Sequence, residues 1–170
     1  MPVDRDRYRA LAASFPTGVT IVTTLDASGA PRGLTTQSFA GLSTEPPLMI
    51  VAIDKTSRTL PNVRAHRSFV VNFLKYGAEE VATRFASKSD DKFAGIKWRP
   101  SAVANGAPIL HECVVAYAEC AIVREVEAGD HWILIASVEG GDVLGGTPLL
   151  YYRRTYAAWP EEKPAPPIGS

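Results

Sequence analysis

Apolar and polar positions along this chain fall mostly into short runs of β-branched and aromatic residues broken by turn signals, with only three short helical segments. Asp4 or Asp6 can cap a first helix running to about Ser14, with Tyr8, Leu11, Ala12 and Phe15 at helical spacing. Pro16 and Gly18 end it. Gly18 to Thr24 alternates as a strand, Asp26-Ala-Ser-Gly29 is a hairpin turn, and Arg32 to Ser38 returns as its partner. Leu48 to Ile53 is six apolar residues in succession, the pattern of a strand buried on both faces.

Thr59 is placed to cap a short helix through about His66, with Pro61 in its first turn, where the missing N–H costs little. Ser68 to Leu74 is another strand, interrupted by the amide of Asn72, and Glu79 to Ala86 has the spacing of an amphipathic helix. Residues 87–108 are polar and contain glycine and proline, a long excursion of the kind that often carries function. Strands resume over 114–117 and 121–126, and a turn at Glu127–His131 leads into a strand over 132–138. A last short strand runs over 149–153. Many strands with helices at the margins, and no alternation of strand and crossover helix, predict a mainly β fold. The expected form is a closed or nearly closed antiparallel barrel with flanking helices.

At 170 residues, 46% hydrophobic and 21% charged, the chain fits one globular domain with a sizeable core. Lysine plus arginine equals aspartate plus glutamate at 18 each, so net charge gives no argument for nucleic acid or an anionic membrane. The start of the chain lacks a signal-peptide apolar run, and no apolar run approaches a spanning length of about 20 residues, so a cytoplasmic location is expected. Cys113 and Cys120 have neither metal-site spacing nor a disulfide framework and are expected to pack in the core.

Two stretches stand out chemically. Thr35, Thr36, Gln37 and Ser38 leave a strand with small hydroxyl and amide groups, suited to the donor–acceptor edge of a flat polar ring. The same residues equally suit the polar outer face of an edge strand. Lys55, Ser57, Arg58 and Thr59 sit just ahead of a helix start, where free N–H groups and the helix dipole favour a phosphate; ordinary capping with solvated charges is the alternative. Asn72 needs a partner if buried, either a ligand or a neighbouring backbone group. Arg84-Phe85 and the turn residue His131 are further candidates, although Phe85 also reads as core and a turn histidine is commonly structural. No glycine fingerprint, nucleophile elbow, carboxylate pair or metal spacing is present, which leaves cofactor chemistry as the enzymatic route.

Several pieces in order add a resemblance. They are Phe15–Thr24, Thr36-Gln-Ser-Phe39, Leu42-Ser43, Pro46-Pro-Leu48, Ser57-Arg-Thr59, Phe69–Asn72, Arg84-Phe85, Asp91–Gly95, Trp98–Ser101, Gly129-Asp-His131 and Pro148–Tyr152. Over roughly residues 5 to 156 the chain resembles the short-chain flavin reductase family, the small components of two-component flavin-dependent monooxygenases. The Gln37–Ala40 and Asp91–Ser101 pieces look most like reductases serving aromatic or steroid-ring hydroxylases.

The resemblance implies an FMN-binding split barrel of Greek-key antiparallel type over 1–158, and composition predicts a proline-rich disordered tail at 159–170. It implies a homodimer that uses NADH or NADPH to reduce FMN or FAD and releases the reduced flavin to a monooxygenase. Matching positions put Thr36, Gln37, Ser38 and Ser43 along the isoalloxazine, and Asp54, Lys55, Ser57, Arg58 and Thr59 around the ribityl and phosphate groups. Asn72, Arg84 and Phe85 complete the pocket, His131 is the candidate catalytic residue on the nicotinamide side, and Tyr152 and Arg154 border it. Many relatives carry Asn where this chain has Gln37, which leaves FAD against FMN open. A flavin-retaining oxidoreductase and a non-catalytic flavin carrier are the rival readings.

Overall fold

The computed structural model describes residues 1–159. Its body is a seven-stranded antiparallel sheet made of β2 (Thr20–Leu25), β3 (Pro31–Thr36), β4 (Phe39–Thr44), β5 (Pro47–Asp54), β6 (Ser68–Leu74), β9 (Val114–Ala128) and β10 (His131–Val143). The spatial order is β3-β2-β6-β9-β10-β5-β4. β3 and β4 are thus the two edges, yet only Gln37 and Ser38 separate them in the chain. Two residues reach so short a distance that the edges must meet, and the sheet curls into a barrel. The Ala52 N–H donates to the Ser38 carbonyl at 2.8 Å, which carries the β4–β5 ladder up to that seam.

Two smaller sheets flank the barrel. β1 (Thr17–Gly18) pairs with β11 (Leu149–Tyr152), which pairs with β12 (Thr155–Ala158), and β7 (Trp98–Pro100) pairs with β8 (Pro108–Leu110). Three helices complete the fold: α1 (Arg5–Ala13), α2 (Leu60–His66) and α3 (Glu79–Ala86). The main core lies inside the barrel, with Val22, Val51, Phe69, Val71 and Leu134 fully buried. A second core joins α3 to the sheet through Ala82, Phe85 and Leu110.

Several local expectations change. The two strands expected over 114–126 are one 15-residue strand, bulged where it pairs with β10, and β4 and β12 are additional strands. β5 is buried only at Val51 and Ile53, because its outer face has no covering layer in this chain. Asp4, rather than Asp6, caps α1, accepting from the Arg7 N–H at 2.8 Å. No residue of α1 is buried, so the predicted apolar face leaves Leu11 59% and Phe15 72% exposed. Thr59 precedes α2 as expected but makes no capping bond; its hydroxyl donates to the Gly33 carbonyl at 3.1 Å. Cys120 is buried and Cys113 half-buried. The proline-rich tail lies, from residue 160, outside the described residues.

Candidate functional site

The strand β3 carries polar groups at both ends. At the seam, Thr36 donates toward the Ala52 carbonyl at 3.4 Å and accepts from the Ser38 N–H at 3.1 Å. The Thr20 hydroxyl donates to the Thr36 carbonyl at 2.8 Å. These bonds fix the backbone of the turn. Gln37 and Ser38 themselves are exposed, and their side chains bond nothing among the described residues. Gln37 stands between two openings. One, of about 510 Å³, is walled by Phe15, Phe39, Phe73 and Leu149. The other, of about 460 Å³, is lined by Tyr8, Arg9, Tyr151, Arg153 and Arg154.

Arg153 and Arg154 form the two-residue turn between β11 and β12, with φ of 47° and 65°. Both therefore adopt the left-handed conformation that Asn or Gly usually takes in such a turn. The turn is tied to α1 by the Arg153 N–H, which donates to the Ala13 carbonyl at 3.2 Å.

At the other end of β3 lies a pocket of about 270 Å³ formed by Arg32, Gly33, Arg58, Thr59, Asp90 and Lys92, with Asp26 at its rim. Arg32 pairs with Asp26 at 2.7 Å and Arg58 with Asp90 at 2.8 Å. Lys92 donates to the carbonyls of Gly33 at 3.1 Å and Phe85 at 2.8 Å. Strand rise of about 3.3 Å per residue sets Gly33 and Gln37 about 13 Å apart. A flavin mononucleotide, measured from the pyrimidine edge of its ring to its phosphate, spans that kind of distance.

A third group gathers where β5 ends beside the β9–β10 turn. His131 pairs in register with Asp54, and its Nδ1 lies 2.7 Å from Asp130 Oδ1. The Lys55 N–H donates to the Asp130 carbonyl at 2.9 Å, and the Lys55 ammonium meets Glu127 at 2.5 Å. Asp54 accepts from both the hydroxyl and the N–H of Thr56 at 2.7 Å, and these bonds hold its carboxyl below the usual carboxylate range.

Not every sequence candidate faces these openings. Asn72 is fully buried: its amide donates to the Ile21 carbonyl at 3.2 Å and Thr23 Oγ1 at 3.0 Å, and accepts from the Leu110 N–H at 2.8 Å. It is a pin joining β6, β2 and β8 through neighbouring groups of the chain. Phe85 is likewise fully buried, edge-on to Phe93 at 4.9 Å. Arg84 donates to the Ala94 carbonyl at 2.7 Å and so braces the turn that carries Lys92. Ser57 accepts from the Thr59 N–H at 3.3 Å, and Ser43 lies half-buried on β4 beside a register shift. Tyr152 supports the arginine turn, with Arg153 5.2 Å over its ring. Sequence reasoning gave Arg32 and Lys92 no role. The signal for Lys92 in the sequence is its place inside Asp91–Gly95, one of the segments that carry the family resemblance.

Comparison with known proteins agrees with this architecture. Residues 12–160 match the model of the flavin reductase like domain. The chain is 41% identical over 167 residues to a flavin reductase (NADH) of Kitasatospora aureofaciens, covering 95% of this chain and 85% of that one. Nitrilotriacetate monooxygenase component B from Mycobacterium thermoresistibile superposes with a TM-score of 0.88 at 37% identity, over 98% of this chain and 93% of that one. The NADH:FAD oxidoreductase SgcE6 of Streptomyces globisporus, solved in complex with NAD and FAD fragments, superposes with a TM-score of 0.85 at 32% identity, over 95% and 94% of the two chains. With a split barrel, polar groups at both ends of β3 and a family match over nearly its whole length, the chain belongs to the flavin reductase like domain family.

Proposed function

We propose that this chain is an NAD(P)H:flavin oxidoreductase that takes FMN or FAD as a substrate and releases it reduced to a flavin-dependent monooxygenase. The observation that carries the reading is β3 itself. Its seam end offers Gln37, Ser38 and backbone groups to a ring, and its far end offers Arg58, Thr59 and Lys92 to a phosphate. Relatives named as a flavin reductase (NADH), a monooxygenase component and an NADH:FAD oxidoreductase support the same chemistry.

Hydride passes from the nicotinamide to the flavin when both are bound, and that step needs no acid or base from the protein. The chain's own contribution is placement. The bonds of Thr20 and Thr36 hold the backbone of the seam turn, so its main-chain groups are already in place for a ring edge, while the free Gln37 and Ser38 side chains order on binding. His131 stands on the nicotinamide side, with its Nδ1 already committed to Asp130. Arg58 and Lys55 act in binding.

The working form is a homodimer in the cytoplasm. Support for the dimer comes from α1, which buries nothing and exposes Tyr8 and Leu11, and from the exposed Phe15 just after it, which walls an apolar opening that a second copy would close. Among the described residues no helix is long and apolar enough to cross a membrane.

The test is anaerobic mixing of the protein with excess FMN or FAD and NADH, following loss of flavin absorbance. Many turnovers of free flavin are expected. Bleaching of only one equivalent per protein would instead identify a flavin-retaining enzyme, and tight binding without bleaching a carrier. Light scattering of the same sample tests the dimer.

A further inference from the structure

Three arginines converge where α1 meets the turn between β11 and β12. Arg9, Arg153 and Arg154 all line the opening of about 460 Å³ that Gln37 borders, and no carboxylate lines it. The same three line the adjoining opening of about 590 Å³, where Asp6 is the one acid. Asp6 lies 3.9 Å from Arg9 and is 95% exposed, so it neutralises little. Arg153 and Arg154 form no ion pair among the described residues. Their backbone is also out of the ordinary. A two-residue turn with positive φ at both positions suits Asn and Gly, and arginine strains it. Both side chains are exposed, so core packing does not explain the choice. Strain kept at an exposed turn, with three cations gathered around it, points to a bound anion.

We propose that this opening is the subsite for the phosphate groups of the nicotinamide dinucleotide, with Arg9, Arg153 and Arg154 as its anion-binding residues. This rests on the reading of the chain as a flavin reductase. Gln37 borders the opening at the ring end of β3, and the flavin's phosphate end lies about 13 Å away along that strand. An anion among the arginines is therefore not the flavin's own phosphate. It belongs to the second substrate, whose nicotinamide must lie against the flavin ring to pass its hydride. Guanidinium forks bind phosphate oxygens in pairs, and the rings of Tyr8 and Tyr151 offer flat faces beside them. A site that selects NADH commonly sets a carboxylate on the adenosine 2′-hydroxyl, whereas arginine accommodates a 2′-phosphate. With no acid in this opening, NADPH is accepted as well as NADH.

The experiment compares NADH, NADPH and reduced nicotinamide riboside, which has no phosphate, as donors to saturating FMN. Arg153→Asn with Arg154→Gly removes two charges and gives the turn the residues it favours, so the urea midpoint should not fall. Its kcat/KM for NADH and NADPH is expected to drop about tenfold or more, the effect of losing a hydrogen bond to a charged group, while that for the riboside holds. An equal drop for the two dinucleotides assigns the arginines to the pyrophosphate, and a larger drop for NADPH assigns them to the 2′-phosphate. Unchanged kcat/KM for both dinucleotides, or an equal drop for the riboside, would overturn the proposal. Arg9→Gln, on exposed α1, carries the same comparison if the paired variant does not fold. Calorimetric titration of native and variant chains with NAD+ and NADP+, without flavin, separates this subsite from the function it rests on. Arginine-dependent binding by a chain that reduces no flavin would refute the proposed function and leave the subsite standing. Flavin turnover indifferent to the three arginines would do the reverse.

Discussion

Gly33 lies so close beneath the ring of Phe85 that a Cβ at position 33 would stand 2.7 Å from the ring's Cε1 and 2.9 Å from its Cδ1. The ring is fully buried and edge-on to Phe93, so it has little room to swing away. The missing side chain lets α3 pack directly on β3. The carbonyl of the same residue holds Thr59 and Lys92. Core packing and the phosphate pocket therefore share one residue. Gly33→Ala is expected to lose about 1–3 kcal/mol of stability by overpacking and to weaken FMN binding as the carbonyl shifts. Urea unfolding and FMN titration measure the two effects, and an unchanged midpoint would show that the ring yields.

Asn72 yields a prediction of opposite kind. Asn72→Leu keeps the branched shape but leaves the Leu110 N–H without its acceptor inside the core. One buried donor left unpaired costs about 1–3 kcal/mol, so the urea midpoint should fall. The folded variant should bind FMN as the native chain does. Normal stability with lost flavin binding would return Asn72 to the ligand pocket.

How much of this could be read from the chain differs by element. The strand at Ser68–Leu74 and the helix at Glu79–Ala86 are fixed by local pattern, and both appear within the expected bounds. Whether Asn72 faced a ligand was not legible, because its partners Ile21, Thr23 and Leu110 are up to 51 residues away along the chain. β4 is not legible because Ala40 and Gly41 at its centre have little strand propensity; pairing with β5 makes it a strand. Lys92 gained no role for a similar reason. Its neighbours Gly33 and Arg58 come together only when the barrel closes.

The two cysteines should be inert in the native protein. Burial, then the nearby Glu119 and Glu139, push the Cys120 thiol up to about 12. Burial also raises Cys113. Folding thus favours the neutral thiols. Their contribution to stability is whole below the unfolded value of about 8.5 and fades as pH climbs through the folded one. A disulfide-exchange reagent at pH 8 should leave Cys120 unlabelled until urea unfolds the chain. Fast labelling of Cys120 in the folded protein would contradict the packing described for β9.

The last prediction concerns His131. Asp130 accepts at Nδ1 from 2.7 Å, and that hydrogen bond, followed by the histidine's charge, holds the Asp130 carboxyl below the usual range. The Asp130 backbone is tied in turn by the Lys55 N–H, and Asp54 faces the ring from the neighbouring strand. One nitrogen of the imidazole is therefore committed, and Nε2 is the atom left for a ligand. His131→Ala should raise the KM for NADH about tenfold, the effect of losing one good hydrogen bond to a charged or polar group, without changing the Kd for FMN. Asp130→Asn keeps a side chain able to bond the ring but removes the charge, so its KM for NADH should fall between native and His131→Ala. Steady-state kinetics at fixed FMN, with FMN titrations alongside, read both quantities. If His131→Ala weakens FMN and NADH alike, the histidine supports the β9–β10 turn and the nicotinamide is held elsewhere.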